Sequence, residues 1–181
     1  QRPTNIGGDE NLLRGLSAGS APWVWMIGDD DRVLPGAVAD VLEALEHDDI
    51  DRLILMSPDA PSGAAGMLGS PADLERAQPG LLVASTLITA NVVRRSVLDL
   101  DLGRERIGTM YGWAWAHTPC RRVKVLASPA FVAGSDHAGE YAAQAGFTGD
   151  PVTIWTDLLT QGYDVVPTPA SFSWNHLSVP A

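Results

Sequence analysis

Cysteine is almost absent: Cys120 is the only one in 181 residues. A single thiol excludes an internal disulfide framework and suits a reducing compartment, with Cys120 acting as a small buried hydrophobe. Basic charge is scarce too, with 12 Lys and Arg against 22 Asp and Glu, a formal net charge of −10 and a pI near 4.6. Sequence-independent binding to nucleic acid or to an anionic membrane needs a basic surface, so both are disfavoured. A local basic patch can still form around Arg121, Arg122 and Lys124. No apolar run approaches the roughly 20 residues that span a bilayer. The first residues also lack a basic-then-apolar signal pattern. These absences predict a cytoplasmic chain, or one held at the inner membrane face by a partner. The Gly-rich phosphate loop of many nucleotide enzymes is missing near the start, where Gly7-Gly8 is too little. What remains is globular in composition, 45% hydrophobic and 19% charged, and long enough for one domain with a sizeable core.

The most informative stretch runs from Trp23 to Gly36, WVWMIGDDDRVLPG. Trp23–Ile27 reads as a buried strand that stops at Gly28. Asp29, Asp30 and Asp31 follow, and Pro35-Gly36 opens an amphipathic helix. Three adjacent carboxylates cannot be buried without partners, so they need water, donors or a cation. Oxygen-rich clusters at a strand end suit hard divalent ions, which in turn grip phosphate oxygens. The plainer alternative is a solvated acidic loop.

This segment resembles the Asp-x-Asp region of GT-A-fold glycosyltransferases, especially bacterial family 2 enzymes. Upstream, Asn5 to Arg14 (NIGGDENLLR) is similar to that family's Asn-x-Gly segment and the helix after it. Downstream, Ser85 to Leu98 (STLITANVVRRSVL) is similar to its acceptor-side strand ending in Arg-Arg-Ser. The three matches keep the family's order. The resemblance implies an α/β fold, a GT-A-like (Rossmann-like) mixed sheet flanked by helices, over residues 1–181. It also implies that the strand–helix–strand usually preceding the Asn-x-Gly segment is missing, so the domain is expected to be truncated at its N-terminus, a piece of a larger parent protein or an unusual family member.

Other elements follow from pattern. Asp9 is a plausible N-cap for a helix to about Ala18 with Leu12, Leu13 and Leu16 inward. A helix over Pro35–Glu46 would present Val38, Val41, Leu42 and Leu45 to the sheet. Arg52–Met56, Leu87–Val93 and Val123–Leu126 read as strands, and Ile107–His117, Asp136–Ala145 and Asp150–Gln161 as helices. Residues 57–80 are rich in Ala, Gly, Pro and Ser and read as a flexible loop, either plain surface or a lid.

The resemblance also assigns roles. A bound Mg²⁺ or Mn²⁺ neutralises charge on a departing diphosphate. Asp31 and Asp29 are the implied metal ligands, Asp30 the implied nucleotide-sugar contact, and Asn11 and Arg14 lie on the implied donor-side helix. Many relatives carry Asp where this chain has Gly28. A late histidine often adds a ligand, which makes His176 and His137 candidates, though each also fits a surface role. Inverting transfer needs a general base. The family's Glu-Asp pair is absent at the matching place, and Glu105 is the nearest acid. Trp113, Trp115 or Trp174 could stack on a sugar, whereas Trp23 and Trp25 read as core.

The sequence thus points to a metal-dependent glycosyltransferase that uses a nucleotide-sugar donor and a glycan or glycoconjugate acceptor, with no nucleic-acid partner. Two alternatives stay open: a non-catalytic GT-A-like module that binds sugar or a partner, and a metal-dependent nucleotidyltransferase.

Overall fold

The structure, a computed structural model, describes residues 6–47, 49–58, 62–107, 112–134 and 151–172. Its centre is a five-stranded sheet of β1 (Trp23–Trp25), β3 (Arg52–Met56), β4 (Leu68–Gly69), β5 (Asn91–Arg94) and β6 (Val123–Pro129). The spatial order is β1-β5-β3-β6-β4. Only β3 and β6 run parallel; the other pairs are antiparallel, with Trp25 opposite Val92 and Ile54 opposite Asn91. A second, two-stranded sheet pairs β2 (Arg32–Val33) with β7 (Phe131–Val132).

Every residue of β3 is buried, so its alternate side chains must feed two different cores. Ile54 and Met56 join Leu13 and Leu16 of α1 (Gly8–Ala18), Trp113 and Trp115 of α6 (Gly112–Trp115) and Trp155 of α7 (Pro151–Asp157). Leu53 and Leu55 face the other way, onto Val41 and Ala44 of α2 (Ala37–His47) and onto Phe131. The C-terminal ends of β1 and β3 and the N-terminal end of β5 therefore share one edge of the sheet.

Several expectations are corrected. Helix α2 turns Ala37, Val41 and Ala44 inward, while Val38 and Leu42 are 54% and 55% exposed. The spacing 37, 41, 44 is also helical, and the two small alanines let the helix approach the sheet closely. The stretch 57–80 carries structure: β4 pairs with β6, and α3 (Pro71–Ala77) starts on Ser70, whose hydroxyl accepts the Asp73 N–H at 3.2 Å. A serine cap, a proline at the first turn and the buried Leu74 supply what the composition seemed to lack. Glu75 is buried as well, and accepts the N–H groups of Gly80 (2.6 Å) and Leu82 (3.0 Å) at the start of α4 (Leu81–Ala84). The strand read from Leu87 begins only at Asn91, after a 3₁₀ turn over Ile88–Ala90. Of the helix read over Ile107–His117, residues 108–111 lie outside the described residues and α6 covers only Gly112–Trp115; it packs against the preceding α5 (Leu100–Glu105) so closely that a Cβ on Gly103 would lie 2.6 Å from Leu13 and 3.1 Å from the Gly112 carbonyl. The helix read over 136–145 lies outside the described residues. Helix α7 continues as a π turn over Leu158–Gly162, close to the expected end.

The sheet also buries a cation. Arg52 is 2% exposed and donates to Asn91 Oδ1 (2.8 Å), the Tyr163 hydroxyl (2.9 Å) and Ser85 Oγ (2.7 Å). Burial pushes the Tyr163 hydroxyl above its usual pKa, an effect the guanidinium opposes. Burial likewise raises the Cys120 thiol to about 12, so it is inert, as the sequence implied.

His117 packs edge-on to Trp113 and is 1% exposed, and its Nε2 has no hydrogen-bond partner among the described residues. Burial, aided by repulsion from Arg52, holds its pKa well below 6.5. The unfolded chain therefore binds the proton first. Stability is complete above about pH 6.5 and falls below it, by at most about 1.4 kcal/mol per pH unit until the folded-state pKa is passed. Urea unfolding at pH 7.5 and 5.5 should show this loss, and His117→Gln should flatten it.

Candidate functional site

The acidic loop leaves β1 at the sheet edge defined above. Asp31 N–H closes a turn onto the Gly28 carbonyl at 3.3 Å. Asp29 and Asp30 are exposed, and Asp31 is half-buried. The Asp31 carboxylate is held at both oxygens. Oδ1 accepts the Gly134 N–H at 2.9 Å, and Oδ2 accepts the Thr89 hydroxyl. Thr89 Oγ1 in turn accepts the Gly28 N–H at 2.8 Å, while the Thr89 carbonyl accepts Trp25 Nε1 at 3.0 Å.

Local sequence explains the approach of each segment. The β2–β7 register sets Arg32 opposite Val132, so the residues before β2 meet those after β7. Gly134 therefore sits against the acidic loop, where a Cβ would lie 2.4 Å from Asp30 Oδ2. Gly28 serves a related need: a Cβ there would stand 2.8 Å from Asp31 Oδ2 and 3.2 Å from Asp30 Oδ1. An aspartate at this position, as in many of the proteins the sequence resembles, would displace both side chains. Asp30 and Asp31 thus turn one oxygen each toward the same small space. No basic side chain pairs with Asp29, Asp30 or Asp31 among the described residues. Two carboxylates converging without a cation repel each other, and a hard divalent ion relieves that repulsion. Among the described residues no group of three His, Cys, Asp or Glu forms a complete metal cage. The fit is to an ion such as Mg²⁺, held by one or two carboxylates and completed by water or phosphate.

The other expected residues lie apart from this cluster or outside the described chain. Arg14 is exposed and pairs with Glu10 at 2.7 Å on α1; Asn11 is exposed on the same helix. That helix reaches the loop's approach, since a Cβ on Gly15 would lie 3.1 Å from Met26 Sδ. Glu105 is exposed at the end of α5, and no hydrogen bond or ion pair joins it to the acidic loop among the described residues. His137, His176 and Trp174 fall outside the described residues. His47 is exposed at the end of α2. Trp113 and Trp115 are core residues. Trp23 and Trp25 are only half-buried, with the Arg94 guanidinium 4.8 Å from the Trp23 ring centre. A hollow of about 500 Å³ lies elsewhere, lined by residues such as Leu98, Asp99 and Arg104, and none of its walls belongs to the acidic loop. Thr89 and Gly134 were not singled out from sequence. A lone threonine inside the apolar run LITANVV was the available signal for the first; nothing marks the second.

No protein-family model matches the sequence, and no curated protein does. Among solved structures, S. aureus TarS 1-349 superposes with a TM-score of 0.52 at 14% identity, covering 98% of this chain and 55% of the TarS 1-349 chain. The fold is GT-A-like. TarS 1-349 in complex with UDP-GlcNAc gives the same TM-score, 0.52, at 12% identity over 98% of this chain and 57% of that TarS 1-349 chain. The chain therefore spans just over half the length of these structures. The mixed α/β sheet flanked by helices that the sequence implied is what the structure has. No described helix is long and apolar enough to cross a membrane.

The packing at Gly28 has a measurable consequence. Gly28→Ala should push the Asp31 carboxylate off the Thr89 hydroxyl and cost about 1–3 kcal/mol, the order of overpacking. Chemical denaturation measures the cost, and a crystal structure of the variant should show the Asp31 side chain moved.

Proposed function

We propose that this chain is the metal- and donor-binding part of a glycosyltransferase that moves a sugar from a nucleotide-sugar to a glycan or other acceptor. One observation carries the reading. Among the described residues, Asp30 and Asp31 converge without a cationic partner at the strand-end edge of a GT-A-like sheet, the edge where open α/β sheets bind ligands. The similarity to a protein crystallised with UDP-GlcNAc supports a uridine-type donor.

In this reading Asp31 holds Mg²⁺ or Mn²⁺, with Asp29 as the second expected ligand. Asp30, beside Asp31, contacts the nucleotide-sugar or shares the ion. Bound there, the cation supplies neutralisation of the charge that develops on the diphosphate leaving group. Asn11 and Arg14 present polar groups from α1 toward the donor side. Glu105 is the candidate base: it is exposed and has no ion-pair partner among the described residues. It would take the proton from the acceptor hydroxyl as that oxygen attacks the sugar's anomeric carbon and the bond to the diphosphate oxygen breaks, which inverts the configuration. His176 remains a proposed further ligand.

A second reading, a non-catalytic sugar- or partner-binding module, draws on the candidate base: among the described residues no hydrogen bond or ion pair joins Glu105 to the acidic loop. No observation favours a nucleotidyltransferase.

Calorimetry separates these. Mn²⁺ should bind weakly alone and at least tenfold more tightly with UDP, whose phosphates complete the shell. Asp31→Asn should abolish the UDP-dependent gain, and Glu105→Gln should leave it intact while lowering turnover. Unchanged Mn²⁺–UDP binding in the Asp31 variant would refute the assignment. Binding without turnover of any nucleotide-sugar would favour the module.

A further inference from the structure

We propose that Thr89 is a positioning residue of the acidic site, whose hydroxyl sets the direction of the Asp31 carboxylate. The part of this claim that concerns cation binding rests on the function proposed above; the part that concerns Asp31 does not.

Thr89 is 0% exposed and lies in an apolar stretch where valine would fill the same volume. A hydroxyl buried there needs partners, and it has two that differ in kind. A threonine oxygen offers one proton and two lone pairs, a backbone N–H can only donate, and an ionised carboxylate can only accept. The Gly28 N–H therefore occupies a lone pair of Oγ1, and the single hydroxyl proton goes to Asp31 Oδ2. The chain of bonds has one polarity, from amide through hydroxyl to carboxylate, and each member strengthens the next. Gly134 N–H closes on the other oxygen at 2.9 Å. The carboxylate plane is thereby fixed from two sides. The outward lone pairs remain free for a ligand.

Thr89 is itself held firmly. Asn91 Nδ2 donates to the carbonyls of Ser85 and Leu87, both at 2.8 Å, and so ties together the bend that carries Thr89. The buried Arg52 guanidinium fixes Asn91 Oδ1 at 2.8 Å and Ser85 Oγ at 2.7 Å. A buried cation thus sets the bend, the bend sets Thr89, and Thr89 sets Asp31. Groups that orient metal ligands in this way typically change metal affinity 10- to 100-fold when removed.

The test compares the 181-residue chain with Thr89→Val, which keeps the shape and removes both hydrogen bonds, and Thr89→Ser, which keeps the hydroxyl. Two quantities are read: Mn²⁺ affinity in the presence of UDP, and hydrogen exchange at the Gly28 and Gly134 amides. Thr89→Val should weaken Mn²⁺ binding 10- to 100-fold and speed Gly134 exchange at least tenfold, because Asp31 loses its second anchor. Thr89→Ser should bring both back to within about threefold of the parent chain. A merely structural role would change Gly28 exchange and thermal stability, yet leave Gly134 and Mn²⁺ affinity untouched; that result overturns the proposal. Should the parent chain bind no Mn²⁺ with or without UDP, the metal reading fails. The Gly134 exchange then decides the positioning claim alone, acceleration sustaining it and no change overturning it. If Thr89→Val does not fold, Thr89→Cys, which keeps a side chain of similar size with only a weak donor, is read on the same two measurements with the same outcomes.

Discussion

A guanidinium buried in the sheet with neutral partners is the constraint on which the rest depends. Arg52 joins β3 to β5 through Asn91, to the end of α4 through Ser85, and to the π turn after α7 through Tyr163. Hydrogen bonds to a buried charge contribute about 1.5–3 kcal/mol each, and losing one partner leaves charge that cannot be solvated. The four segments meeting there therefore move together or not at all. Three of them border the strand-end edge, so the rigidity of the core reaches the acidic loop. The same positive charge weighs on its buried neighbours, helping to keep His117 neutral.

At the edge the electrostatic balance reverses. Among the described residues, the core holds a cation without an anion, while the loop after β1 holds carboxylates without a cation. Asp31 is restrained by hydrogen bonds from Thr89 and Gly134, and Asp30 is pressed against the Gly134 backbone. Restraining like charges near one point costs energy that a plain surface loop avoids, because exposed carboxylates can swing apart into water. Such an arrangement persists when a positive ligand recovers the cost. Glycines at 28 and 134 make it sterically feasible, and each lacks room for a Cβ.

Much of this was legible in the sequence, unevenly. β3 was readable as a buried strand because four consecutive apolar residues, Leu53 to Met56, follow its first position. The partners that bury its first residue, Arg52, were not readable, since they lie 33 to 111 positions away. Asp31 stood out through composition alone. Its anchors did not, because Thr89 and Gly134 lie 58 and 103 positions off and only the sheet topology brings them in. α2 was placed correctly yet rotated, as alanines carry little hydrophobic signal even where they face the core. The segment 57–80 was judged by its Ala, Gly, Pro and Ser content, whereas a serine cap and the burial of Pro71, Leu74 and Glu75 decide its helix.

The proposed function requires that the loop after β1 receive a divalent cation at Asp31. Paramagnetic broadening of amide resonances by Mn²⁺ tests it directly, because the effect falls steeply with distance from the ion. With UDP present, the account predicts that Gly28, Asp30, Asp31 and Gly134 broaden first, and that Mg²⁺ in excess restores them. Broadening centred elsewhere, at Asp99 and Asp101 for instance, or the same pattern persisting in Asp31→Asn, would contradict it.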